Sequence, residues 1–94
     1  MNAQIKLSNF KDSCREHGVV LSKDDFNKVF LEMKKLQDLY GTHSDPFFYI
    51  ALNMNCELVP FVKLPWYMLK QLHNNFKPYT TIYLSELETF IENY

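Results

Sequence analysis

Cys14 and His17 stand three residues apart, a spacing that puts a thiol and an imidazole on one face of a helix. Such a pair can begin a metal site or a thiol–imidazole couple. The first needs two more ligands and the second an orienting carboxylate, and the local sequence supplies neither. The pair therefore reads as a core cysteine beside a boundary histidine at a helix C-terminus, where the dipole favours a charged imidazole. His43, Ser44 and Asp45 are the residue types of a hydrolytic triad, but they are adjacent in the chain. Triad members converge from separate elements, so Asp45 ahead of Pro46 reads instead as a turn or a helix cap.

Other chemistries are thinner still. Gly18 and Gly41 are the only glycines, too few for a glycine-rich phosphate loop. Residues 16–30 have the outline of a calcium-binding helix–loop–helix without its alternating oxygen ligands. The same outline suggests a DNA reader. Its second helix, however, mixes Lys23, Lys28, Lys34 and Lys35 with Asp24, Asp25, Glu32 and Asp38, which repel phosphate as much as they attract it. The chain is read as non-enzymatic, with no catalytic residue, no metal ligand and no cofactor.

What remains is contact. Pro65 opens a helix to about Phe76, and at about 100° per residue Met68, Leu69, Leu72 and Phe76 gather on one side. Lys63, Trp66, Tyr67, Lys70, Asn74 and Lys77 gather on the other. With the first group in the core, the second is a candidate partner-binding surface, because an outward Trp and Tyr among cations are the material of interaction hot spots. A nucleic-acid single strand would stack on the same aromatics. Alternatively, Trp66 and Tyr67 lie under a neighbouring segment while the lysine stems cover their rings.

These residues need a scaffold. Ala3, Leu7, Phe10 and Cys14 share one face of a helix that Gly18 can terminate. Ser22 and Asp25 form a capping pair for a second helix over 22–40, along which Phe26, Val29, Phe30, Met33, Leu36 and Tyr40 repeat. The next stretch reads two ways. Asp45-Pro46 can start a helix with Phe47, Ile50, Ala51, Met54 and Leu58 on one face. The apolar run Phe47–Leu52 can equally be a buried strand that turns at 53–55 and returns over 57–63, with Pro60 counting against a central strand. The helix has the better caps and periodicity and is preferred. A last helix aligns Leu84, Leu87, Ile91 and Tyr94, with Thr80 or Thr81 as its cap or Ser85 and Glu88 as a later start. Thr81-Ile82-Tyr83 reads alternatively as a short strand.

The expected fold is thus a single mainly α domain over residues 1–94, a bundle of four to five short helices. The alternative is α+β with a small antiparallel hairpin at about 47–63. A chain of 94 residues has room for one core, and its fifteen aromatic residues supply the density to fill it. Net charge is -1, and Arg15 is the only arginine, which disfavours general nucleic-acid binding. Cys14 and Cys56 form no close pair, no signal peptide is visible and no apolar run reaches membrane-span length, so the protein reads as cytoplasmic with no membrane partner. Many Asn, Lys, Phe and Tyr against few Gly and Arg suggest an AT-rich genome, as in phages and mobile elements, whose compartment would be the host cytoplasm. The function expected is a small protein-binding module, an accessory or inhibitory factor acting by occlusion or oligomerisation, including homo-oligomerisation. The alternative is a small nucleic-acid-binding regulator using the Lys/aromatic helix face.

Overall fold

The computed structural model describes residues 3–40, 47–61 and 78–94. Helix α1 (Ala3–Glu16) buries Leu7, Phe10 and Cys14 on one face, as their spacing requires. It stops at Gly18, whose φ of 84° is open to a residue without a Cβ. The Gly18 N–H donates to the Arg15 carbonyl and the Val19 N–H to that of Cys14. Those two bonds close a Schellman turn and bring Val19 onto the core.

Helix α2 (Lys23–Tyr40) starts where the capping pair puts it. Asp25 Oδ2 accepts from the Ser22 N–H at 2.8 Å, and Ser22 Oγ accepts from the Asp25 N–H at 3.3 Å. Phe26, Val29 and Met33 are buried, and Phe30 and Leu36 pack at their margin.

The chain then departs from the helical expectation. Residues 47–61 form a β-hairpin, β1 (Phe47–Leu52) and β2 (Leu58–Phe61), and a third strand, β3 (Tyr79–Tyr83), pairs with the other side of β1. All pairings are antiparallel, in the order β2-β1-β3. A bundle of four to five helices is therefore overturned: the described residues hold three helices and a three-stranded sheet, and the α+β alternative with a hairpin fits. The physical reason is local. Asn53 Oδ1 accepts from the N–H groups of both Asn55 and Glu57 at 2.9 Å, and the Asn53 N–H donates to the Glu57 carbonyl. That turn reverses the chain where a helix would have continued. Period two then wins over period 3.6: Phe48, Ile50 and Leu52 enter the core together, and Met54, which the helical reading put on their face, is 87% exposed.

The same turn fixes hydrogen-bond parity. With Asn53 and Glu57 paired, Ala51 with Val59 and Tyr49 with Phe61 are the hydrogen-bonded pairs of the ladder. Pro60, opposite Ile50, therefore turns its donor-less nitrogen away from β1, toward the outer edge. Proline is tolerated there and excluded from a central strand.

The last helix, α3 (Leu84–Glu92), begins later than a threonine cap would place it. Thr80 and Thr81 lie inside β3 and cap nothing. Instead Glu86 Oε1 accepts from the Tyr83 N–H at 3.1 Å, the returning half of a capping box. Leu84, Leu87, Phe90 and Ile91 face inward. The core lies between the helices and one sheet face, uniting Phe10, Phe26, Phe48, Ile82 and Leu87 from five elements. Tyr94 closes it, its ring 5.8 Å from that of Phe26 and its hydroxyl donating to the Leu21 carbonyl at 2.7 Å. The preferred helix from Pro65 to Phe76 lies outside the described residues.

Asn53→Ala should destabilise the protein by about 1–2 kcal/mol, because two backbone donors lose their acceptor. Urea unfolding checks this. A helical segment would gain from the same change, so an unchanged or raised midpoint would contradict the hairpin.

Candidate functional site

Cys14 and His17 share a helix end but not an environment. Cys14 is wholly buried, and loss of hydration pushes its thiol from 9.0 up to about 11. His17 is exposed, and its Nδ1 donates to the Ser13 carbonyl at 2.9 Å. The thiol is thus protonated at neutral pH and held in apolar packing, which is the opposite of an activated nucleophile. No group of three or more His, Cys, Asp and Glu is placed to hold a metal ion among the described residues. His43, Ser44, Asp45 and the predicted contact surface of Lys63, Trp66, Tyr67, Lys70, Asn74 and Lys77 all lie outside those residues.

A concave site exists elsewhere. The turn after α1 and one side of α2 meet the turn end of the hairpin, leaving a groove of about 400 Å³. Its apolar lining is Val19, Leu21, Val29, Leu31 and Leu58. Each arrives for a reason already given: the Schellman turn delivers Val19, the Asn53 turn delivers Leu58, and α2 supplies the wall between them. Leu31 lies off the buried stripe of α2 and is 60% exposed. Beside the groove, Val20 is 75% exposed.

Charges of both signs line the same groove: Asp25, Lys28, Glu32, Lys35 and Glu57. Three are engaged locally. Asp25 is held in the helix cap, and Glu32 lies 3.7 Å from Lys35 along one face of α2. Cys56 completes the lining at the hairpin turn, exposed and in the left-handed region at φ 64°.

Apolar and charged side chains thus share the lining of this groove. The signal for the groove in the sequence was Leu31, an apolar residue off the helical stripe. Its meaning depends on Leu58 and Val19 arriving beside it from distant positions.

Comparison with known proteins finds no matching family, no matching curated protein and no matching solved structure. Among the described residues, no helix is long and apolar enough to cross a membrane.

The two thiols should differ sharply toward a charged aromatic disulfide reagent. One equivalent, Cys56, reacts in the folded protein, and the second appears only on unfolding. Unfolded Cys14 ionises from about pH 9 while the folded thiol waits until about 11. Its burial therefore stabilises the fold fully below pH 9, and that contribution declines as pH rises through this window. Two fast-reacting thiols at neutral pH would contradict the burial of Cys14.

Proposed function

We propose that this chain is a small non-enzymatic protein-binding module that acts through the groove between α2 and the hairpin. The observation that carries the reading is a groove whose lining includes Leu31, an apolar side chain 60% exposed on α2, next to a connector in which Val20 is 75% exposed. Exposed apolar groups ringed by charges are the usual composition of a recognition surface. Protein fits better than nucleic acid as the partner. A phosphate backbone calls for a rim of one sign, and here Asp25, Glu32 and Glu57 alternate with Lys28 and Lys35. A partner's side chains supply both signs as well as apolar anchors. Binding of this kind works by occlusion or by assembly. Free cysteines at 14 and 56 suit a reducing compartment such as the cytoplasm.

The test uses the tagged full-length chain to capture partners in its native cell. Leu31→Glu and Val20→Glu each place a charge at an exposed position, so helical circular dichroism and thermal midpoint should stay near those of the parent. Capture should fall at least about tenfold, the effect of burying an unpaired carboxylate in an interface. A retained set unchanged by both variants would remove the groove as the binding surface.

A further inference from the structure

We infer that Tyr94 is a positioning residue for the α2–hairpin groove: its hydroxyl straps down the connector between α1 and α2, and that connector is one wall of the groove. The inference rests on the protein-binding reading and deepens it by naming what holds the site in shape.

Leu21 belongs to two arrangements at once. It lines the groove beside Val19. Its carbonyl also accepts from the Tyr94 hydroxyl at 2.7 Å, a bond between positions 73 apart in the sequence. Leu21 is 5% exposed, so its carbonyl is withdrawn from water, and a lost donor is replaced by solvent only if the backbone shifts. The Leu21 carbonyl and the Ser22 N–H are two ends of one planar peptide unit. That N–H donates to Asp25 Oδ2 at 2.8 Å. A shift of the plane therefore disturbs the start of α2 together with the groove wall.

The tyrosine is itself held from three sides. Its ring stands 5.8 Å from that of Phe26 on α2 and 5.7 Å from that of Phe90 on α3, and Lys11 Nζ of α1 lies 4.2 Å from its centre. The N–H groups of Asn93 and Tyr94 donate to the carbonyls of Thr89 and Ile91 at 3.2 Å, which fixes how the chain leaves α3. All three helices thus converge on one ring whose oxygen reaches the connector. The ring contacts do not need the hydroxyl, so phenylalanine at this position keeps the anchor and drops the strap. Val20, just before Leu21, has its side chain largely in water, so its own burial does little to hold this stretch.

The experiment is native-state amide hydrogen exchange, read by nuclear magnetic resonance on the full chain and on its Tyr94→Phe variant. The probes are the N–H groups of Val19 and Ser22, bonded to the Cys14 carbonyl and the Asp25 carboxylate on either side of the strap. Both should exchange about fivefold faster in the variant, the ratio set by one hydrogen bond of ordinary strength. Amides of the central strand β1 open with the whole fold, so their rates report any general loss of stability separately. Circular dichroism should show the helix content of the parent. Capture of partners by Tyr94→Phe should fall about threefold or more, because the wall is no longer held ready for binding. Unchanged exchange at Val19 and Ser22 overturns the strap, whatever happens in β1. Capture kept by Tyr94→Phe but lost by Leu31→Glu also overturns it, since the groove would then bind without the strap. Faster exchange at both probes, with capture altered by neither variant, upholds the strap and overturns the protein-binding reading alone.

Discussion

Phe48, Ile50 and Leu52 must leave water together, because a strand projects alternate residues to one face and these three occupy one face of the central strand. Nearly everything else follows from covering that row. A strand paired on both sides cannot be shielded by its neighbours in the sheet, only by a second layer. α1, α2 and α3 supply that layer with Phe10, Phe26 and Leu87, and β3 adds Ile82 to the row. Phe26 sits where the helices converge, edge-on to Phe90 at 5.2 Å and close to Tyr94. Removing such a ring costs on the order of 3–5 kcal/mol, a large part of the stability of a domain this size.

The groove is a by-product of the same constraint. α2 packs with its buried stripe toward the core, and the margin of that stripe is left facing the hairpin turn and the turn that follows α1. Val19 and Leu58 approach there because their own segments must end somewhere: one at a helix stop, the other where a turn begins a strand. The candidate surface is therefore built from the side of one helix, α2, met by the end of the α1 turn and the start of β2. No unusual chemistry is required of any of them.

The first two helices were fully legible in the sequence, since caps and apolar spacing agree at Gly18 and at Ser22–Asp25. The middle was legible only as a choice. Six consecutive apolar residues fit a helix face and a buried strand equally, and periodicity alone cannot separate them. Asn53 decides the matter through its own side chain, a bond that composition does not announce. Pro60 argued against a strand only while the strand was taken as central. Which strand lies at an edge depends on pairing with residues 79–83, far along the chain. The same non-locality hid the groove, for Leu31 looks like a misplaced leucine until Leu58 lies beside it. The contact surface expected around Trp66 falls outside the described residues.

Pro60 also bears on how this protein behaves when concentrated. An exposed strand edge with an unbroken row of donors is a template for any extended chain, including partly unfolded copies of itself, and is a common route to fibrils and inclusion bodies. Among the described residues β2 is a four-residue edge strand that lacks a donor at one of its outward positions. A second strand laid along it would leave one of its own carbonyls without a mate. Along β2, Pro60 therefore works against backbone stacking of a further strand, in a protein whose aromatic content would otherwise favour it.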